Sequence, residues 1–284
     1  MIYFVTVNYY SRDWIQALIA SVTAGITDSY HILVVDNSPE ETALQSLVTD
    51  RTTILESGSN LGFGQACNLG IDYAWQHHRQ ALVWLINPDA VIHPGADTYV
   101  QSCFREDPAL AILGTQILTA DGSIWFGHGT FNPWTGSVKH HRTPLQPSSQ
   151  ELTISSQWVT GCSLVLNLAV FQECPGFSDR YFLYCEDTDL CLRYGRQGYG
   201  VAVTQHPLVT HQVSALIGRY PGLMYQHYTY GRLTLLRYHG TVLGLGLYLL
   251  HSLLQGLLRL PWQPVRAWGR WRGLGQFLRR WVYP

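Results

Sequence analysis

The feature that most narrows the folds open to this chain is a rhythm in its first third. Short, almost unbroken apolar runs at 2–7, 32–35, 52–55 and 82–86 alternate with helix-length segments at 13–24, 40–48 and 64–77. Strands buried on both faces read as continuous Val/Ile/Leu runs, and their alternation with helices predicts a parallel sheet covered by helices. Each run also ends in polar residues: Asn8, then Asp36-Asn37-Ser38, then Glu56-Ser57-Gly58, then Asn87-Pro88-Asp89. In an open α/β sheet, ligands bind beyond the carboxyl ends of the strands. Four polar ends therefore converge on one crevice.

Further along, a helix is expected over 94–104, and residues 121–150 read as a loop or small hairpin covering the site. A strand is expected over 157–166, and a helix from Glu186 to about Gln197, with Gly198 and Gly200 framing its end. Only 13% of residues are charged, against roughly 25% in an ordinary soluble domain. The net charge of −1 hides a division: residues 1–189 hold 19 acids and 7 bases (−12), residues 190–284 eleven Arg and no acid (+11). Such asymmetry points to an anionic partner for the C-terminal part, a membrane surface or a polyphosphate.

The six cysteines lack zinc-site spacing and disulfide-scaffold density, so reduced, buried thiols are expected. No basic residue precedes the first apolar run, which does not read as a secretory signal, and a cytoplasmic location follows as an expectation. Neither a G-x-x-x-x-G-K-[ST] nor a G-x-G-x-x-G turn occurs, and the only lysine is Lys139. P-loop, standard dinucleotide and Schiff-base chemistry are left without candidates.

Several side chains fit a site for a diphosphate and a sugar. Asp89, on the turn after a buried strand, suits a hard divalent cation whose other positions go to phosphate and water, or an Asx turn bonding its own backbone. Asp36 carries the same two readings, its ligand here being a base or ribose. Glu186, Asp187 and Asp189 crowd a helix start, where the macrodipole favours acids by about 0.3–1 kcal/mol each; one of them is also placed to act as a general base. His211 ends an apolar run, as a structural residue or as a second metal or phosphate ligand. The small residues of Asn60–Gly70 open a helix whose N–H groups suit an anion.

In order and spacing these pieces resemble the inverting family 2 glycosyltransferases of GT-A fold, in the branch that contains rhamnosyltransferases. The match covers about residues 2–214 and rests on Val34–Ser38, the Asn60–Gly70 stretch, Asn87-Pro88-Asp89, Gly176–Asp179 and Tyr184–Arg193. The resemblance implies an α/β, Rossmann-like, mostly parallel sheet flanked by helices. It implies that Asp36 contacts the nucleotide base, that Asp89 binds a Mg2+ or Mn2+ on the diphosphate, and that Asp187, beside Glu186, is the catalytic base. His211, followed by Ser214, takes the family's late histidine position near the metal. Asn8, Asn60, Gly62, Asn68, Asn87 and Gly161 fall on the nucleotide-sugar side. Asn-Pro-Asp replaces the Asp-x-Asp of many members and leaves one strand-end carboxylate. The function implied is transfer of a sugar from a nucleotide-diphosphate donor, dTDP-rhamnose for this branch, to a lipid-linked or cell-surface glycan. A polyprenyl-phosphate sugar synthase and a non-catalytic sugar-nucleotide-binding protein are the alternatives.

Residues 1–236 are expected to form the catalytic domain and 237–284 an amphipathic, Arg/Trp-rich helical tail. Thr241, Gly244, Tyr248, His251, Gln255 and Arg259 recur on one side of a helix, and Leu243, Leu247, Leu250, Leu254, Leu257 and Leu258 on the other. Trp262, Trp268, Trp271 and Trp281 interleave with arginines beyond it. That composition suits a peripheral position on the anionic inner face of the cell membrane; packing of the leucines on the catalytic domain or across a homodimer is the other reading. No nucleic-acid-binding module accompanies the charge, so nucleic acid is not an expected partner.

Overall fold

A computed structural model describes residues 1–38, 43–142, 151–212 and 221–282. The N-terminal half follows the expected rhythm. Strands β1 (Ile2–Asn8), β2 (Tyr30–Asp36), β3 (Thr52–Glu56) and β4 (Leu82–Ile86) are joined through α1 (Arg12–Gly25), a 3-10 turn at Ala43–Leu47 and α2 (Phe63–His77). They lie side by side as β4-β1-β2-β3, all parallel, with Asn8 level with Asp36 and Asp36 level with Glu56. β1 is buried along its whole length, and burying each Val, Ile or Phe is worth roughly 1.5–3 kcal/mol. That burial selects continuous apolar runs over alternating ones.

After β4 come β5 (Ala90–Ile92), α3 (Ala96–Glu106) and β6 (Leu110–Thr119), then three short strands β7 (Ile124–Phe126), β8 (His128–Asn132) and β9 (Ser137–His141). β10 (Thr153–Ser155), β11 (Ser163–Asn167), α4 (Glu186–Arg196) and β12 (Gly200–His211) complete the sheet, in the order β10-β12-β6-β11-β4-β1-β2-β3, with β5 on β12 and β7 on β6. The α/β expectation holds, with one refinement. The β6–β12 pair is parallel, but β11 runs antiparallel to both β4 and β6, so the sheet is mixed rather than mostly parallel.

Two further expectations need correction. The strand expected over 157–166 begins only at Ser163, because Gly161-Cys162 form a turn, closed by the Ser163 amide on the Thr160 carbonyl, that gives the Gly161 N–H to Asp187. Of the helix expected over 40–48, the described part is the 3-10 turn, and 39–42 lie outside the described residues. The 121–150 segment is the hairpin β8–β9 with β7 before it; 143–150 lie outside the described residues. Five of the six cysteines are buried and all are free thiols.

Three helices, α5 (Pro221–His239), α6 (Val242–Arg259) and α7 (Pro264–Val282), pack on one another around a second apolar cluster. That cluster also takes in Phe131 of β8 and Tyr181 and Cys185 of the loop before α4. The boundary expected after residue 236 falls inside α5.

Candidate active site

At the ends of β1 and β2, Asn8 Nδ2 donates to Asp36 Oδ1 (3.1 Å) and to Ser38 Oγ (3.0 Å), and the Ser38 amide donates to Asp36 Oδ1 (3.0 Å). Asn37 reaches the next element: its Nδ2 donates to Asn60 Oδ1 (3.0 Å), and its Oδ1 accepts from the Leu61 amide (2.8 Å). Asn60 Oδ1 also accepts from the Gly62 amide (3.0 Å). Gly62 has φ +81°, and a Cβ there would collide with the Phe182 carbonyl, which itself accepts from the Phe63 amide (3.1 Å). Only glycine tolerates both conditions. The turn opening α2 is thereby clamped between the β2 end and the loop that leads into α4.

A second set of bonds starts at the β4 end. The Asn87 amide donates to the Cys162 carbonyl (3.0 Å), and the Gly161 amide donates to Asp187 Oδ2 (3.0 Å). Burial, with Asp89 and Asp187 both near, pushes the Cys162 thiol well above its usual range. The Asp89 and Asp187 carboxylates thus flank one short turn. Asp89 Oδ1 lies 3.0 Å from His211 Nε2, with both side chains buried. The Gln212 amide donates to the Asp89 carbonyl (2.9 Å), and Trp125 of β7 lays its ring edge-on against the His211 ring at 4.5 Å. His211 Nδ1 is buried without a hydrogen-bond partner among the described residues.

No group of three or more His, Cys, Asp or Glu that would cage a metal occurs among the described residues. The Asp89–His211 pair nonetheless fits a divalent cation of the Mg2+ or Mn2+ kind. Such an ion commonly takes one or two protein ligands and fills its sphere with water and substrate phosphate. Asp89 Oδ1 and His211 Nε2, hydrogen-bonded at 3.0 Å, are the atoms that would hold it.

The three acids of α4 have three different surroundings. Glu186 is buried, and its Oε2 has no partner among the described residues. Burial first, and the adjacent Asp187 second, push its carboxyl up to about 8. Asp187 is also raised by burial, against the pull of the Gly161 and Thr188 amides (3.0 and 2.7 Å). With Glu186 neutral, the negative charge of the pair resides on Asp187, the less buried of the two. Asp189 is committed elsewhere: it accepts from His239 Nε2 (2.8 Å), Arg193 Nε (3.3 Å) and Tyr181 Oη (3.3 Å). Burial would raise it, yet His239 and Arg193 together hold it below its usual value.

A stability prediction follows from Glu186. In the unfolded chain it ionises near 4.5, in the fold only near 8, so the unfolded state binds fewer protons between those values. Folding stability therefore falls as pH rises through that window, by up to about 1.4 kcal/mol per unit. Glu186→Gln is expected to remove that slope and to raise the melting temperature at pH 8 relative to wild type. Urea unfolding at pH 5, 6.5 and 8 checks it, and parallel profiles for the two proteins would refute it.

Of the expected site residues, Asn8, Asp36, Asn60 and Gly62 meet in one bonded group; Asn87, Gly161, Asp187, Asp89 and His211 meet in the other. Asn68 stands apart, its amide holding Phe177 N–H and carbonyl (2.7 and 3.0 Å). Gly161 likewise has an internal partner, Asp187. Ser214 lies outside the described residues. Sequence reasoning missed Trp125 and the Tyr184-Cys185 pair, two consecutive non-glycine residues in left-handed backbone (φ +67° and +72°). Each costs roughly 1–2 kcal/mol, and strain of this kind collects where side chains must be aimed; here it sets Glu186 and Asp187 at the start of α4. A lone Tyr-Cys dipeptide carries no signal for it. Tyr9 and Tyr10, exposed beside Ser38 at the β1 end, were also passed over.

This mixed sheet, with acids at the strand ends and an acid-led helix beyond, is the GT-A fold. A crystal structure of GalNAc-T7 with UDP, GalNAc and Mn2+ superposes with TM-score 0.65 at 13% identity, covering 100% of this chain and 56% of that one. This chain thus spans little more than half of that structure's length. S. aureus TarS 1-349 in complex with UDP superposes at 0.54 and 12% identity, covering 92% of this chain and 72% of that one. Residues 3–164 match the Glycosyl transferase family 2 profile, and the chain belongs to that family. It is a glycosyltransferase. Among its relatives is the N-acetylglucosaminyl-diphospho-decaprenol L-rhamnosyltransferase of Mycobacterium tuberculosis, 27% identical over 244 residues, 76% of this chain and 78% of the relative. Rhamnosyltransferase WbbL of Escherichia coli is 25% identical over 219 residues, 70% of this chain and 78% of the relative.

Proposed function

We propose that this glycosyltransferase moves rhamnose, with inversion, from dTDP-rhamnose to a hydroxyl of a lipid-linked glycan. The observation that carries the reading is the short turn Gly161-Cys162. It is bonded on one side to the β4 end that bears Asp89, and on the other to Asp187. A diphosphate at Asp89 and His211 and a base at Asp187 are thus held on the two sides of one turn. Asp36, held by Asn8 and Ser38, faces the nucleoside, with Tyr9 and Tyr10 as exposed rings beside it. Asp187 takes the proton of the acceptor hydroxyl as its oxygen attacks the anomeric carbon; neutral Glu186 leaves the charge of the pair on Asp187. Asp89 and His211 would hold a divalent cation, which when bound would neutralise charge on the departing diphosphate. The choice of rhamnose and of a lipid-linked acceptor is supported by the two rhamnosyltransferase relatives.

The test is a thermal-shift panel of nucleotide sugars with and without Mn2+. A true donor at 100 times its dissociation constant stabilises by about 2.7 kcal/mol. The expected outcome is a rise in melting temperature with dTDP-rhamnose that needs Mn2+. A response to UDP-GlcNAc and none to dTDP-rhamnose would overturn the donor assignment.

A further inference from the structure

The helix α6 is docked the opposite way round from a core helix. Its packed side is the one with small and polar residues: Gly244 sits against the Trp134 carbonyl and Gly256 against the Trp271 ring, and Tyr248 and Ser252 are buried between them. Its outer side is a stripe of Leu243, Leu247, Leu250, Leu254, Leu257 and Leu258, all exposed, beginning at Val242 (90% exposed). The helix is long and apolar enough to cross a bilayer. It is nevertheless fastened along its length, the Thr241 amide donating to the Pro133 carbonyl (2.9 Å) at one end and Gly256 meeting Trp271 at the other. One face packed on protein and one face bare is the arrangement of a helix lying in a surface.

Further large apolar residues are exposed at both ends of α6 and on α7. Trp134, at the tip of the β8–β9 hairpin and 57% exposed, adjoins the start of α6; Trp262, 82% exposed, stands in the turn after it. On α7, Val265 and Trp268 are exposed on the same helical face as Arg272. Arg266, Arg272 and Arg279 are all exposed, and residues 190–284 contain no acid to oppose an anionic headgroup. A second protein copy would bring the same uncompensated arginines against themselves. A sheet of negative headgroups over hydrocarbon complements both the charge and the leucines.

We infer that the outer face of α6, with Trp134, Trp262 and Trp268, beds into a monolayer of anionic lipid with α6 in the membrane plane. The arginines of α7 engage the headgroups. The helical layer also touches the catalytic loop, α5 lying against the Tyr184-Cys185 turn at Gly231. Docking therefore holds the catalytic domain, through α5, at the lipid surface, where a lipid-linked acceptor is found. The inference deepens the proposed function on the acceptor side alone.

The test is flotation of the full chain with vesicles of phosphatidylcholine alone or with phosphatidylglycerol. Three proteins are compared. One is wild type, and one carries Leu247→Gln, Leu250→Gln, Leu254→Gln and Leu258→Gln. The third carries Arg266→Gln, Arg272→Gln and Arg279→Gln. All these side chains are exposed, so circular dichroism and the donor-induced thermal shift should be unchanged, which keeps this test separate from that of the donor. Wild type is expected to float with phosphatidylglycerol vesicles, less so in high salt, and each variant to partition at least about tenfold more weakly. Trp134→Ala should also lower partitioning, which a tail acting alone would not show. Failure of wild type to float would overturn the inference. So would equal flotation of the leucine variant, equal flotation on phosphatidylcholine alone, or a wild-type dimer in solution that the leucine changes dissociate.

Discussion

Asp187→Asn is expected to lower sugar transfer by about 10²–10⁴-fold, the range that a positioned general base contributes. An asparagine oxygen at the Oδ2 position still accepts from the Gly161 amide at 3.0 Å and keeps the turn in place, while its Nδ2 replaces the Oδ1 that accepts from the Thr188 amide at 2.7 Å, so the proton acceptor and one bond at the start of α4 are lost together. Donor affinity by calorimetry should be unchanged, and the loss should appear wholly in single-turnover transfer. Near-wild-type transfer would shift the role to Glu186, the remaining acid able to exchange a proton. Asp189 is no substitute: three donors, His239, Arg193 and Tyr181, already occupy it.

Asp89→Ala is expected to abolish the metal-dependent part of donor binding. Even an outer-shell partner of a metal ligand is worth about 10–100-fold in affinity, and removal of one of two protein ligands should cost at least that. The same change strips His211 Nε2 of its partner at 3.0 Å and leaves a buried imidazole with both nitrogens unsatisfied. His211→Ala should therefore produce a similar loss. Calorimetric titration of dTDP-rhamnose with Mn2+ and with chelator reads both. Equal affinity of wild type and Asp89→Ala in the presence of Mn2+ would remove the cation from that pair.

The parallel half of the sheet was legible because burial on both faces leaves one kind of run, and the carboxyl-end rule then placed Asp36 and Asp89 on the same rim. What local pattern could not carry was pairing across distance. The meeting of Asp89 with His211, 122 residues away, depends on β5 folding back along β12, and three-residue strands leave almost no periodicity. Gly161 read as the interior of a strand because Trp158-Val159 and Ser163-Leu164 flank it with strand-like composition. The turn there aims the Gly161 amide at Asp187 and the Cys162 carbonyl at the Asn87 amide, a tertiary requirement. The third acid of the cluster illustrates the same limit. Asp189 looked equivalent to Asp187 in sequence, and only α5, whose last residue His239 reaches back to it, separates their roles. On α6 the helical period was plain, but period alone does not say which side faces the protein. Two glycines pressed against a carbonyl and an indole decided it.

The His239–Asp189 bond has a practical meaning for anyone wishing to shorten this enzyme. A cut after residue 236 looks natural from composition, since it removes the leucines and tryptophans and leaves a less greasy protein. It would also delete His239 and leave the buried Asp189, two residues from Asp187, with only Arg193 and Tyr181 of its three donors, at a cost of about 1–3 kcal/mol for the lost hydrogen bond to a charged group. The catalytic turn and the last helices are in that sense one inheritance. A water-loving form of the enzyme is better made by repainting the outside of α6 than by pruning it.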